Sequence, residues 1–384
     1  MLLDEMLTET GSLSEPGLST SRAIQQFGSA LPFRGLLKNV QGLDNSELLN
    51  AAGLGWKVGP LPVVVQGRTE QRLAKDYQAV IRYDSGAILD ITSKQFKPHQ
   101  NSEILSGMQQ LAEAGDAEIV FAGPLDGGRK VVAIARMNGD FSLPNKTQTW
   151  NGHSGNSNPQ AGEDTTALFT IISGGHEVGT PFKIRGLAFR QWCGNGAFFT
   201  VRANSTLAIS HRLRLTTSEL ARIKRVYESI RGEFSTYARD AAKLQAVEMA
   251  KEQSRLYVAE LLKPGISAEL GERLKALPSD ASLSRQQVWA EVADSLRGRQ
   301  ALDSIILENE RSAGFARSGK NLLDAIVQQY GANGRNLWSG YNGITWYVDH
   351  QRGRNPETGM DAALFGEGAR LKESALATAL QFAN

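Results

Sequence analysis

The chain has 384 residues, of which 41% are hydrophobic and 21% charged, a composition that excludes wholesale disorder and allows a sizeable core. Its net charge of +2 favours no class of partner, and its one cysteine, Cys193, excludes an intrachain disulfide and suits a reducing compartment. The first ten residues carry acids where a secretory signal carries bases, and no apolar run is long enough to predict a membrane span. We therefore expect a cytoplasmic protein.

The first part of the chain predicts a tail, a short helix and a hairpin. Residues 1–30 are rich in Ser, Thr and Gly without periodicity, so we expect a flexible N-terminal tail. A short helix is predicted over 44–52, with Asp44 or Asn45 as its N-cap. The prolines of the stretch that begins at Trp56 favour an edge or irregular strand, and Ser85-Gly86 predicts the turn of a β-hairpin.

The middle of the chain predicts a helix and then a series of strands. We expect a helix over 101–114, a second hairpin that turns at 126–128, and a long loop over 142–163, where Asn, Gly, Ser and Pro dominate. Strand-like runs follow, and the last of them alternates cleanly between apolar and polar residues. These runs cover residues 166–173, 182–192, 196–202 and 205–215.

A change of period from 2 to 3.6 predicts a long helix. Thr217-Ser218 before Glu219 is typical of a helix start, and Lys263-Pro264-Gly265 predicts a stop near Leu262. An apolar seam at heptad spacing runs along this helix. It comprises Leu220, Ile223, Tyr227, Ile230, Phe234, Tyr237, Ala241 and Leu244. Two interpretations stay open: the seam packs on the chain's own sheet, or it is shared with a second subunit.

Together these elements predict an α+β fold, with antiparallel β-hairpins and a sheet followed by a long heptad-patterned helix and a helical C-terminal region. Three parts are expected: the tail 1–30, an α+β core domain 31–263 with the loop 142–163, and a helical region 264–384. Within that last region, 266–330 reads as helical, the composition changes to Gly, Asn, Trp and Tyr from Gly331, and a final helix is predicted over 367–382.

The sequence offers no catalytic constellation. The five histidines are scattered without metal-ligand spacing, and Cys193 lies among aromatic residues that favour a buried thiol. The stretch 314–320 fits G-x-x-x-x-G-K, but Asn321 stands where a P-loop needs Ser or Thr. We therefore predict no enzymatic activity, no cofactor and no metal.

The most informative signal is an uneven distribution of charge. Residues 183–231 contain ten Lys and Arg against two acids, so this segment carries +8 and the rest of the chain −6. Arginines and lysines neutralise phosphates, and aromatic rings stack on bases. A solvated basic face with core aromatics is the alternative interpretation. As candidate nucleic-acid-binding residues we select Lys183, Arg185, Arg190, Trp192, Phe199, Arg202, Arg212 and Arg214.

Several short motifs, in this order, resemble the phage and plasmid family named domain of unknown function 932. The resemblance runs from about residue 45 to the C-terminus, and its order carries more weight than any one motif. The motifs are Gly53-Leu54-Gly55-Trp56, Asp84-Ser85-Gly86, Phe96-Lys97-Pro98, Phe121-Ala122-Gly123, Gly127-Gly128-Arg129, Ser173-Gly174-Gly175-His176, Trp192-Cys193-Gly194-Asn195, Ser210-His211-Arg212, Tyr341-Asn342-Gly343-Ile344-Thr345-Trp346, Val348-Asp349-His350 and Leu364-Phe365-Gly366.

The resemblance implies a mobile genetic element, often with recombination genes nearby, and the order of elements is similar to that of phage single-strand annealing proteins. We therefore expect a protein that binds and anneals single-stranded DNA as a homo-oligomer, in a ring or filament. Two alternatives stay open. One is a factor that docks on a host or defence enzyme through residues 266–330. The other is a nuclease built on acids such as Asp126 or Asp164, for which no paired-carboxylate spacing is evident.

Overall fold

A computed structural model of the chain describes residues 36–144, 163–178, 181–190, 198–200, 207–209, 217–261, 321–330, 334–350 and 356–384. We number its elements in chain order. The strands are β1 (Lys38–Asn39), β2 (Val58–Gln66), β3 (Gln71–Arg82), β4 (Ile88–Ser93), β5 (Ala117–Leu125), β6 (Lys130–Pro144), β7 (Glu163–Gly175), β8 (Phe182–Arg190), β9 (Phe198–Thr200) and β10 (Leu207–Ile209). The helices are α1 (Asn45–Ala51), α2 (Asn101–Glu113), α3 (Thr217–Ala246), α4 (Lys251–Leu261), α5 (321–330), α6 (Leu337–His350), α7 (Pro356–Leu364) and α8 (Glu367–Phe382).

The main sheet is antiparallel and has the order β1-β5-β6-β7-β8-β10, with β9 also paired to β8. Strands β9 and β10 share one edge of β8, because β9 pairs with residues 187–189 and β10 with residues 182–184. The long pairing of β6 with β7 continues to Pro144 opposite Glu163, so both ends of the predicted loop 142–163 are strand. The α+β class with antiparallel hairpins is confirmed.

A second sheet, which we call the small sheet, consists of β2, β3 and β4 in that order. It is the predicted Ser85-Gly86 hairpin with β2 as the predicted edge strand, so both predictions are confirmed. Polar side chains at the start of α2, Gln100 just before the helix and Asn101 as its first residue, join the small sheet to the rest of the molecule. Gln100 accepts from Val58 N–H at 3.1 Å and donates to Val58 O at 2.7 Å, and Asn101 donates to the carbonyls of Leu54 and Trp56.

The long helix packs on its own sheet and ends earlier than the sequence predicts. The seam residues from Ile223 to Leu244 are buried within the chain, which favours the intrachain interpretation of the seam. The helix stops at Ala246, and α4 begins at Lys251. Between them Leu337 N–H donates to Val247 O, and Met249 N–H donates to the carbonyl of Arg335. This bridge to the segment before α6 replaces helical hydrogen bonds, so the prediction of one helix to Leu262 is wrong.

The C-terminal helices share one hydrophobic core with the sheet and α3. Helix α6 packs on α3 and α8, and α7 and α8 contact β9. Trp338 of α6 is fully buried and packs against Tyr237 of α3 at 5.8 Å between ring centroids. The final helix has the predicted bounds, and the boundary at residues 263 and 264 stays a prediction. The tail 1–30 lies outside the described residues, as do residues 145–162 and 262–320.

Candidate nucleic-acid interface

Three of the eight predicted binding residues have described side chains, and one of the three is exposed. Lys183 lies on β8 between Ser173 of β7 and Ala208 of β10, and its side chain is exposed. Of Phe199 the structure describes the backbone alone, opposite Ala188 in the β8–β9 pair. The other four lie outside the described residues and stay predictions. They are Trp192, Arg202, Arg212 and Arg214.

Arg185 and Arg190 are the two predicted residues that the fold uses internally. Arg185 donates to Leu364 O at 3.1 Å and lies 3.3 Å from the Glu373 carboxylate, and burial lowers the pKa of its guanidinium. Arg190 is 0% exposed, with its guanidinium 5.6 Å from the ring centre of Trp338. A side chain without exposed surface cannot contact a phosphate in this fold. We therefore remove Arg190 from the candidate set and assign Arg185 to the contact between β8 and the C-terminal helices.

The basic segment does reach solvent on α3. The face of this helix opposite the buried seam is exposed and carries four cations and one acid, Glu228. We call it the α3 outer face. It comprises Arg222, Lys224, Arg225, Glu228, Ser229, Gly232, Ser235 and Arg239. Arg231, on the flank, is held by a hydrogen bond of 2.8 Å to Gly115 O and does not belong to this face.

The α3 outer face is smooth in its middle and charged at its ends. Ser229, Gly232 and Ser235 recur at helical spacing between Arg225 and Arg239. A Cβ added at Gly232 would have open space around it, so close packing does not explain why this position is glycine. Glycine inside a helix costs about 1 kcal/mol relative to alanine. Small side chains flanked by arginines let a sugar–phosphate strand approach the helix closely while guanidinium groups hold its phosphates.

Ion pairs among the described residues leave the cations of this face unneutralised. None of the described ion pairs involves Arg222, Lys224 or Arg225. The pairs occupy Arg72, Arg82, His99, Arg129, Arg136, Arg185 and Lys372. Exposed arginines without a carboxylate partner keep all five guanidinium donors for an anion. The arrangement can therefore bind a polyanion.

The buried ionisable groups form pairs inside the core. Lys372 Nζ lies 2.6 Å from Asp349 Oδ1, and the two side chains are 2% and 0% exposed. Burial lowers the pKa of Lys372, and Asp349 opposes that shift. Arg136 and Asp140 form a second buried pair across the bulge of β6, and Arg136 also donates to Leu168 O at 2.7 Å. These pairs join α6 to α8 and fix a bulge, which are structural roles.

The register of β6 places Asp126 and Asp164, the two acids named for a nuclease, near opposite ends of that strand. A nuclease built on either acid stays a prediction. Asp126 lies in the turn beside Lys130, at one end of β6, and Asp164 pairs with Leu143 near the other end. The strand between Lys130 and Leu143 spans roughly 40 Å at about 3.3 Å per residue, so the backbones of the two acids lie far apart. Within the described parts of the chain, no three His, Cys, Asp or Glu side chains are placed to hold a metal.

Sequence reasoning missed the exposed apolar surface of the small sheet. Among the described residues, the exposed aromatic rings are Tyr77 and Tyr83, both on β3 or its turn and both 54% exposed. The signal was present in the strand sequences, because β2, β3 and β4 carry apolar residues on both alternating positions. Such strands are typical of sheets that are covered on both faces.

Comparison with known proteins identifies the family. The family described as Domain of unknown function (DUF932) matches residues 88–375, which is most of the chain. The chain therefore belongs to this family, as its motifs indicated. No curated protein and no solved structure matches it. Among the helices of the described residues, none is long and apolar enough to cross a membrane.

Proposed function

We propose that this chain binds single-stranded DNA and anneals complementary strands as a cytoplasmic homo-oligomer of a mobile genetic element such as a phage or plasmid. The observation that carries the proposal is the α3 outer face, where four cations surround a strip of small residues. Lys183 adds an exposed cation on β8, and Arg202, Arg212 and Arg214 of the same basic segment stay candidates for the DNA backbone.

The chemistry of annealing needs no catalytic group. Cations neutralise the phosphates of each strand, and this lowers the repulsion that keeps two complementary strands apart. Base pairing then supplies the driving force, so the protein makes and breaks no covalent bond. Trp192 and Phe199 stay the candidates for stacking against bases.

The test is binding of a fluorescent single-stranded oligonucleotide to the protein and to the double variant Arg222→Ala/Arg225→Ala across a salt series. Each lost phosphate contact lowers the salt dependence by about 0.7 and the affinity about fivefold at 0.1 M salt. We therefore expect the slope of log K against log salt to fall by about 1.4 and the affinity to fall roughly 25-fold. The matched control is Arg68→Ala, an exposed arginine on the β2–β3 connection.

Two results would contradict this placement. An unchanged affinity and slope in the double variant would show that DNA does not lie on α3. A fall in slope of about 0.7 in Arg68→Ala, half of that in the double variant because one charge is removed and not two, would show that net charge alone matters. A fluorescence assay with the complementary strand then separates annealing from simple binding, because annealing requires faster duplex formation than the free strands show.

The alternative function is a factor that binds a host or defence enzyme and no nucleic acid. The exposed side chain of Val327 on α5, 58% exposed, lies in the region 266–330 that the alternative uses as a docking surface. A stable complex with a host protein, together with no DNA binding at low salt, would favour this alternative over the proposed function.

A further inference from the structure

The outward face of the small sheet is apolar, and large side chains around its buried centre, Ala79 and Ile81, are exposed. Leu61, Ala79 and Ile91 form one row across the three strands, and Ile81 and Ile88 belong to the next row. Directly opposite residues of antiparallel strands point to the same side of a sheet. We call this surface the small-sheet face. Its exposed members are Leu61 at 46%, Tyr77 at 54%, Tyr83 at 54%, Ile88 at 55% and Ile91 at 56%.

Two local features enlarge the small-sheet face. The register of β4 shifts by one residue at Leu89, so Ile88 and Ile91, three positions apart, both lie on it. On β2, Gly59 has no side chain, and the ring of Tyr83 packs against its backbone. A Cβ at position 59 would lie 1.9 Å from the Tyr83 hydroxyl oxygen, so only glycine leaves room for the ring. The opposite side of the sheet is already packed, with Val58, Val80 and Leu89 in a core of their own.

The area of the small-sheet face fits a protein interface. An aromatic side chain has roughly 150–250 Å² of surface, so a large side chain that is half exposed presents roughly 75–125 Å², and the five together present about 500 Å². Monomeric proteins rarely expose a contiguous apolar patch larger than a few hundred Å², whereas a stable interface buries about 800 Å² per partner. The apolar end of the same hairpin supplies the remainder, with Val64 and Leu73, which lie opposite each other and are each more than half exposed.

The charges around the small-sheet face favour a second copy of this chain over nucleic acid. Lys75 and Asp76 lie beside Tyr77, and Asp84 pairs with Arg82 at 2.7 Å beside Tyr83. Because the rim carries both positive and negative charges, a two-fold axis can place the positive charges of one copy opposite the negative charges of the other. Two copies therefore need not repel each other at this rim. It offers a phosphate backbone no excess of positive charge, unlike the α3 outer face.

We propose that the small-sheet face docks against the same face of a second copy and so forms a contact through which this chain assembles. The inference rests on the homo-oligomer part of the proposed function and gives that assembly an interface. The contact is two-fold, since one apolar face meets an identical face.

The test measures the mass of the protein in solution for the wild type and for Leu61→Lys/Ile91→Lys, with Val327→Lys as the matched control. All three positions are exposed apolar residues, and Val327 lies on α5, outside the small sheet. We expect the wild type and the control to be oligomeric at micromolar concentration and the double variant to have half the mass or less. Circular dichroism verifies that the double variant is folded.

Cross-linking identifies the occupant of the small-sheet face. In a Cys193→Ser background, a cysteine in place of Ser93, which pairs with Tyr77, should link two chains with a short bis-maleimide. A cysteine in place of Val327 should not. A monomeric wild type, an oligomer that survives Leu61→Lys/Ile91→Lys, or a Ser93→Cys protein that links only within one chain would each overturn the inference.

Binding of a short oligonucleotide to the same proteins separates this inference from the proposed function. A monomeric wild type that binds DNA overturns the inference and leaves the DNA-binding part of the function standing. An oligomer that depends on Leu61 and Ile91 and binds no DNA supports the inference and overturns the function.

Discussion

Replacement of Gly343 by alanine tests how the C-terminal helices pack. Gly343 lies on α6 where that helix meets α5. A Cβ at this position would lie 2.5 Å from Ile326 Cα and 2.7 Å from Ile326 N, whereas ordinary contact begins at 3.4 Å. The obstacle is backbone, which no rotamer change can move. The two helices must therefore separate by about 1 Å, on the scale of the overpacking that protein cores resist.

The expected magnitude is the difference of two opposing effects. Overpacking costs up to about 3 kcal/mol, and alanine gains about 1 kcal/mol over glycine in a helix interior. Gly343→Ala should therefore lower the free energy of unfolding by about 2 kcal/mol. At Gly232 of α3 the same substitution meets nothing within 4 Å, so it should raise the free energy of unfolding by about 0.5–1 kcal/mol.

Urea unfolding followed by circular dichroism measures both variants against the wild type at one pH and one protein concentration. The prediction is a pair of shifts of opposite sign from one chemical change. If Gly343→Ala is as stable as the wild type, α5 and α6 do not approach each other as closely at Ile326 as the structure shows. If Gly232→Ala is destabilised, the outer side of α3 is not open to solvent as described.

Two further predictions concern buried ionisable groups of α6 and α8. Lys372→Met leaves the Asp349 carboxylate buried without its cation and should lower the free energy of unfolding by about 3–5 kcal/mol. Lys372→Met/Asp349→Leu should lower it by less, because no unpaired charge stays buried. A double-mutant cycle in urea measures the difference. Burial lowers the pKa of His350 from 6.5, so on acidification the unfolded chain takes up its proton first. Stability should therefore fall as the pH drops from 6.5 towards that lowered pKa, by up to about 1.4 kcal/mol per pH unit, and His350→Gln should flatten this slope in urea titrations at pH 7.5 and 5.5.

Elements whose signals are local could be predicted from the sequence. The capping box of α1 depends only on residues 44–47, where Asp44 accepts a hydrogen bond from Glu47 N–H at 2.9 Å. Each hairpin likewise has its turn residues between two apolar runs. The bounds of α8 follow from Gly366 before it and from the apolar period within it.

Features that depend on distant contacts could not be predicted. The break between α3 and α4 has no Gly or Pro, and it arises because Val247 and Met249 bond to residues 335–337. Helix α6 was not predicted, because Gly340 and Gly343 lower its helix propensity. Its stability comes from burial on nearly all sides.

The candidate site shows the same limit. Basic residues beside aromatic ones predict a DNA-binding groove and a buried cation–π contact equally well. Only the tertiary structure separates the exposed Lys183 from Arg190, which packs over Trp338. The basic composition of α3 was visible in the sequence, but its division into a buried seam and a cationic outer face needed the sheet beneath it.

The central claim is that the α3 outer face binds single-stranded DNA. The most direct measurement is the binding of the wild type and of Arg222→Ala/Arg225→Ala to a fluorescent single-stranded oligonucleotide, from about 50 to about 300 mM salt. The matching duplex is the reference ligand. We expect the wild type to bind the single strand more tightly than the duplex, its affinity to fall steeply with salt, and the double variant to show a shallower slope. Absence of binding by the wild type at the lowest salt would contradict the central claim.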